Sequence, residues 1–408
     1  MIPMSGPLSH LRVLDLSRVL AGPWCSQILA DLGADVIKVE RPGPGDDTRA
    51  WGPPFLKSHD GREVGAGYYV AANRGKRSMT LDLSAPQGQD IVRKLAAMSD
   101  IVLENYKVGT LDRYGLGWSH LSALNNRLIY CSVTGFGQTG PRARQPAYDF
   151  LIQAMGGLMS ITGVPDGEPG AGPQKVGIPI IDLITGVYSA TAIIAAVAGR
   201  EASGKGRYID MAMLDVGIGL LSNQAMNSLL TGRAPRRTGN AHPNIQPQKV
   251  YSCRDGDIIL VVGNDGQFAS LCQVLGLAHL AQDERYRTNS ARVRNQATLQ
   301  PQIEQILASR SRKEWLRLLG EAGVPSGPIN SVPEALAEEQ VRHREMIRSY
   351  DHPAAGHVNL VMSPFRMDGE AVNSERPPPM LGEHTNEILV EIGLRSEQVA
   401  QLRSQGIV

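Results

Sequence analysis

The residue most at odds with its surroundings is Asp182. It stands in GIPIIDLITG, with isoleucine and leucine on either side. A charged carboxylate in apolar company is costly unless something compensates it. One compensation is structural: an aspartate at a helix start accepts backbone N–H bonds, and helix-forming sequence runs from Leu183 onward. The other reading is chemical, because a partly desolvated carboxylate can act as a covalent nucleophile. The two are compatible, since N–H groups at a helix start stabilise an anion. Aspartate ionises near pH ~3.9 in water, so at neutrality it would attack without a general base.

Other chemistries lack their residues. After a first apolar run, LRVLDL (11–16), stands SRVLAGP, without the G-x-G-x-x-G that lets a backbone approach a pyrophosphate. Glu40, at the place of a ribose-binding acid, therefore reads as a surface acid. There is no P-loop, no H-E-x-x-H and no G-x-S-x-G. Nine histidines are scattered, and His242 and His384 fall in polar loops as solvated or turn residues. Cysteines at 25, 131, 253 and 272 form no C-x-x-C and no zinc spacing. They read as reduced, buried thiols of a cytoplasmic protein, with no metal site.

Composition narrows the partners. The 408 residues carry 41 Lys+Arg against 40 Asp+Glu, which argues against a broad basic face for nucleic acid. A 5% aromatic share disfavours base-stacking platforms, while 42% hydrophobic residues suffice for a sizeable core. The opening MIPMSGPLSHLRVLDL lacks the pattern of a secretory leader. The apolar run Val176–Ala198 is long enough to span a bilayer, yet it contains Asp182, with Pro179 and two glycines near one end. A carboxylate inside a span costs about 2.5–3.5 kcal/mol on insertion scales. The run is read as a short apolar approach and a buried core helix, not a membrane segment.

The elements that position Asp182 follow from periodicity. A strand (11–16), a loop (17–22), a helix starting at Pro23 (23–33) and a second strand (34–40) make a parallel-sheet, Rossmann-like opening. The pattern continues with a strand at 78–83, a helix at 85–99, strands at 100–106 and 126–137, and a helix over 149–159. The apolar helix from about 183 leads to a strand at 207–213 and a helix to about 230. Residues 231–248 read as a linker. Beyond it come a strand at 256–263, helices at 266–276, 297–309 and 312–322, an extended 324–330, a hairpin near 356–367 and a helix from Thr385. The reading is α/β: a large Rossmann-like domain (1–225), a smaller inserted α/β domain (226–330) and a C-terminal segment (331–408) returning to the first.

The ordered blocks LSHLRVLDLSRVLAGP (8–23), DLGADVIKVERPGPGDDTR (31–49), NRGKRSMTLDL (73–83), ENYKVGTLDRYGL (104–116), GFGQTGP (135–141), AYDFLIQAMGGLMSITG (147–163), SGKGRYIDMAM (203–213) and RPPPMLGEHT (376–385) cover almost the whole chain. In these the chain resembles the class III CoA-transferases, the group of formyl-CoA transferase and carnitine CoA-transferase. GDDTRAWGPPF (45–55) and the RPPPMLGEHT tail look closest to the branch acting on succinyl-CoA and glutarate-like dicarboxylates, with itaconate or oxalate as further acceptors.

The resemblance implies that Asp182 is the nucleophile and Tyr148 an active-site tyrosine. It implies that Leu20, Ala21, Arg41, Leu81, Asn105, Tyr106, Arg113 and Tyr114 meet CoA. Guanidinium groups at Arg41 and Arg113 suit phosphate oxygens. It implies further an interlocked homodimer and no cofactor beyond the CoA thioester, with an acyl-CoA and a small carboxylic acid as partners. Two departures stand out. GNDGQF (263–268) replaces the glycine run that closes over the site in formyl-CoA members, leaving Gly266 as its counterpart, and Pro146 replaces a basic residue. Arg49, Arg74 and Arg237 could bind a distal carboxylate, but the default reading of each is a structural or solvent-facing residue. Two alternatives share the fold or the ligand: an alpha-methylacyl-CoA racemase, which needs a histidine where Tyr148 stands, and a non-catalytic acyl-CoA binder. A neutral phenol is a poor proton shuttle near neutrality.

Overall fold

The computed structural model describes residues 6–408. The described chain divides into two compact units: residues up to 159, 175–233 and 340–408 form the first, and 160–174 with 234–339 form the second. Residues 160–174, assigned to the large domain from sequence, thus belong with the second unit, which runs on to 339.

The first unit is built on six parallel strands: β1 (Arg12–Asp15), β2 (Asp35–Glu40), β3 (Lys76–Thr80), β4 (Ile101–Glu104), β5 (Ile129–Thr134) and β6 (Arg207–Ala212). Their order is β3-β2-β1-β4-β5-β6, the doubly wound Rossmann arrangement. Successive strand residues face opposite layers, so both faces are apolar. Val13, Val36, Ile101, Leu103, Ile129 and Cys131 point into one core. Leu14, Ile37, Val102 and Tyr130 point into the other. Helix α1 (Ala21–Asp31) and the long helix α4 (Ile180–Ser203) cover the first face; α2 (Pro86–Ala97) and the tail cover the second.

Two helix starts differ from the sequence reading. Helix α1 begins at Ala21, two residues before Pro23, which is tolerated because the first-turn N–H groups have no intrahelical partner. Helix α4 begins at Ile180 with Pro179 in the N-cap position, so Asp182 lies inside the first turn and is not the cap. Helix α3 (Asp149–Met155) stops short of 159, because Gly157 adopts φ +84°. By length and composition α4 could cross a membrane, but half of its apolar window is buried in the protein.

The tail returns to β3 of the same unit. Arg77 pairs with Glu387 (2.9 Å) and Glu391 (2.5 Å) of helix Thr385–Glu391. His384 stands in the turn before that helix, as read, but half-buried rather than solvated: its Nδ1 accepts the Ser78 N–H at 3.3 Å. The hairpin read near 356–367 pairs Ile347–His352 with Gly356–Val361.

In the second unit Gln248–Cys253, Gly256–Val261 and Ser326–Pro328 form an antiparallel sheet, and the first of these strands begins at the end of the stretch read as linker. Helices Asp265–Val274, Gln296–Leu307 and Arg312–Glu321 supply its core of Phe268, Leu271, Leu299, Ile303, Trp315 and Leu319. All four cysteines are free and buried.

Candidate active site

In a doubly wound sheet the crevice lies beyond the carboxyl ends of the strands, where the order reverses. Here that point falls between β1 and β4. The residues leaving them, Arg18 to Ala21 and Asn105 to Val108, line a cleft of about 170 Å³ together with Thr134, Gly135, Arg144, Tyr148 and Asp182. A neighbouring cleft of about 320 Å³ lies beyond β2 and β3, lined by Arg41, Asp46, Leu81, Ser84 and Tyr114. Arg18 and Tyr106 line both.

Asp182 is 8% exposed. Its helix start is capped by another carboxylate: Asp149 Oδ1 accepts the N–H of Ile181 (2.7 Å) and of Asp182 (3.2 Å). Asp149 is in turn gripped by Gln153, whose Nε2 donates at 2.5 Å and whose Oε1 accepts the Val176 N–H at 2.9 Å. This arrangement frees the Asp182 side chain from capping. Among the described residues no donor reaches its oxygens. Burial, and then the nearby Asp149 charge, push its carboxyl up to about 7. Full ionisation at neutrality, read from the sequence, is therefore corrected: the ligand-free protein holds a mixture of acid and carboxylate.

Tyr148 stands at the start of α3, 64% exposed, on the cleft wall. Leu20, Ala21, Asn105 and Tyr106 share that wall; Arg41, Leu81 and Tyr114 fall in the second cleft. Arg113 ends the short helix Thr110–Arg113, outside the residues lining either cleft. Gly266 belongs to the second unit, in the first turn of a helix capped by Asn264.

The three arginines singled out for a distal carboxylate are already engaged. Arg49 pairs with Glu40 (2.7 Å), Arg74 with Asp31 (2.6 Å) and Arg237 with Asp166. Glu40 is accordingly no surface acid, but 4% exposed and also bound by Ser78 Oγ at 2.6 Å.

Sequence reasoning missed Tyr68. It follows a short hairpin, Phe55–Lys57 with Glu63–Ala66, and its ring meets Trp51 edge-on at 5.2 Å. Burial, then the charges of Asp182 and Asp149, push its phenol up to about 12, so it stays a hydrogen-bond donor near both carboxylates. Nothing in the spacing of Tyr68 and Tyr69 distinguished the half-buried donor from the buried Tyr69 beside it.

The sequence profile described as CoA-transferase family III matches residues 8–385. The chain belongs to CoA-transferase family III. It is 49% identical to a succinate–glutarate CoA-transferase of Agrobacterium fabrum, covering 95% of this chain and 96% of that one. With a succinyl-CoA:glutarate CoA-transferase of Homo sapiens the identity is 40%, over 98% and 90% of the two chains. Among solved structures, a CAIB/BAIF family protein from Brucella suis superposes with a TM-score of 0.81 at 47% identity, covering 95% of this chain and 99% of that one.

Membership makes this chain a CoA-transferase, not a dehydrogenase with a degraded nucleotide loop. The racemase alternative needs a histidine beside an aspartate, and among the described residues lining the Asp182 cleft none is histidine.

Proposed function

We propose that this CoA-transferase moves CoA from succinyl-CoA to a dicarboxylic acid such as glutarate, with Asp182 as covalent carrier. The observation that carries the reading is the buried, uncapped Asp182 carboxylate in a cleft at the sheet's switch point. The names of the relatives support the substrates.

An Asp182 oxygen attacks the thioester carbonyl; the C–S bond breaks and CoA thiolate leaves with the electron pair. The resulting mixed anhydride is attacked at the aspartyl carbonyl by the thiolate, which expels succinate and leaves an aspartyl-CoA thioester. The acceptor carboxylate attacks that thioester, expelling the thiolate and forming a second anhydride. The thiolate then attacks the acceptor's carbonyl, giving the new acyl-CoA and free Asp182. Each nucleophile is an anion, so no resident cofactor enters. A cleft walled by Val19, Leu20, Val133 and Met213 limits water, which would hydrolyse an anhydride.

The nucleotide end of CoA fits the larger of these two clefts, where Arg18 and Arg41 share one half-exposed carboxylate, Asp47, at 3.2 and 3.9 Å, and keep solvent-facing guanidinium groups as phosphate partners. Its binding energy supports the strained acyl end. For the distal carboxylate, Arg144 lines the Asp182 cleft, and among the described residues no carboxylate engages it. Exposed Met226, Leu229 and Leu230 on helix Ser222–Thr231 support pairing with a second copy as an interlocked homodimer. Four free, buried thiols fit the cytoplasm.

The test is mass spectrometry of protein quenched during turnover of succinyl-CoA and glutarate. An adduct is expected on Asp182, with hydroxylamine inactivating only protein preincubated with acyl-CoA. Asp182→Ala should fold and transfer nothing. A label mapping elsewhere, or near-full turnover by that variant, removes Asp182 from the route.

A further inference from the structure

The residues that lead into α1 are held by side chains at every step. Lys38 Nζ donates to the Ser17 carbonyl at 3.0 Å. Asn105 brackets Arg18, accepting its N–H at 2.9 Å and donating to its carbonyl at 2.7 Å. Asp46 accepts the Val19 N–H, at 3.2 and 3.3 Å to its two oxygens. Lys38 and Asp46 are an ion pair at 2.9 Å, with no exposed side-chain surface on either. Asp46 also accepts the N–H and hydroxyl of Thr48 at 3.0 and 2.8 Å, and its own N–H donates to Glu40 at 3.1 Å. Burial opposes the Asp46 charge, yet Lys38 and Thr48 hold the carboxyl down at about 2.

What these bonds hold is an uncommon backbone. Val19 has φ +70°. A β-branched residue is an outlier in the left-handed region and persists there only where its surroundings over-determine it. The next two residues, Leu20 and Ala21, line the cleft with Asp182, and among the described residues neither N–H meets an acceptor. Helix α1 is pressed against α4 at this end: a Cβ on Gly186, one turn beyond Asp182, would meet the Ala21 carbonyl oxygen at 2.8 Å.

We propose that Lys38 and Asp46 are positioning residues: the buried pair holds Val19 in its left-handed turn, so that the Leu20 and Ala21 N–H groups stand fixed beside Asp182 as donors to the oxygen of the carbonyl under attack. The inference rests on the acyl-transfer reading above. Attack by Asp182 places negative charge on that oxygen, and donors fixed in advance stabilise it without reorganising. A buried ion pair is weak support for stability, because desolvation opposes its attraction. Here it specifies one backbone geometry next to the nucleophile.

The test is steady-state kinetics with whichever acyl-CoA and acid the wild-type protein turns over, so a wrong acceptor assignment leaves it standing. Asp46→Asn is expected to lower kcat about 10²-fold, with KM for the acyl-CoA within about twofold and a cooperative melt. In a Val19→Gly background the same change should lower kcat less than about threefold, because glycine enters the left-handed region as readily as the right-handed one. Equal losses in both backgrounds overturn the proposal, as does an unchanged kcat or a loss confined to KM in the single variant. Should Asp46→Asn fail to fold, Val19→Pro decides. It leaves the pair whole while its ring fixes φ near about −65°. Lost kcat with a wild-type melt supports the clamp, and retained kcat overturns it.

Discussion

Burial and the neighbouring Asp149 leave the Asp182 carboxyl near 7, so its nucleophilic form fills in as pH rises through neutrality. The rate kcat/KM should therefore climb on an acid limb with an apparent pKa near that value. Asp149→Asn keeps an accepting oxygen for the helix start and removes the like charge, so the limb should move to lower pH. An unmoved limb in a pH–rate profile would leave the Asp149 charge without effect. Stability follows the same proton. The folded state holds it up to about 7 and the unfolded state only up to about 3.8, so rising pH between these values erodes wild-type stability. Asp182→Asn escapes this, and its advantage in denaturant melts should grow across that window and level off above it. At about 1.36 kcal/mol per pKa unit the gain has an upper bound of about 4 kcal/mol. Arg144→Ala should raise KM for glutarate at least about tenfold and barely change KM for a monocarboxylate, reflecting one lost charge-assisted contact. Equal effects on both acids would place Arg144 on CoA instead. Asp182 was legible because a charge in an apolar run announces itself. Asp149, Gln153 and Tyr68 were not, because their significance lies in contacts with residues far along the chain. For Arg49, Arg74 and Arg237 the structural reading holds, though the carboxylates that engage them were invisible in sequence.

Helices α1 and α4 meet where the reaction is placed, and Gly186 sets their separation. A methyl there would contact the Ala21 oxygen at 2.8 Å and Trp24 Cβ at 2.9 Å, both too close. Gly186→Ala should thus destabilise by about 1–3 kcal/mol in urea melts and lower turnover by displacing the start of α1. A wild-type midpoint and rate would show that the two helices can part freely. The sheet and its covering helices were legible, because strands buried on both faces give short apolar runs and helices a 3.6-residue repeat. Shorter elements were not. The hairpin at 55–66 has a three-residue strand behind Pro53 and Pro54, and Gln248–Cys253 is half polar, so neither run rises above loop composition. The start of α4 was misplaced because the ordinary preference for aspartate at an N-cap pointed to Asp182, while the capping carboxylate came from another helix.

At the scale of the molecule, sequence separated a Rossmann-like body from a second unit but could not assign 160–174, whose membership depends on contacts made after residue 233. The exposed apolar side chains of helix Ser222–Thr231 bear on assembly. Leu229 and Leu230 are 77% and 79% exposed. In the proposed homodimer, replacing both with aspartate should halve the mass seen by light scattering; a variant still at the mass of two copies would move the pairing surface elsewhere, and a wild-type mass of one copy would remove the dimer. Helix α4 has a further consequence, for synthesis at the ribosome. As it leaves the exit tunnel, its 24 residues pass for a bilayer-crossing segment until something covers them. Everything that covers its buried face in the first core's strands up to Val133, and in α1, is already translated by then. Translation order thus supplies a docking surface before the segment that most needs one, and shortens the time in which an export receptor could capture it.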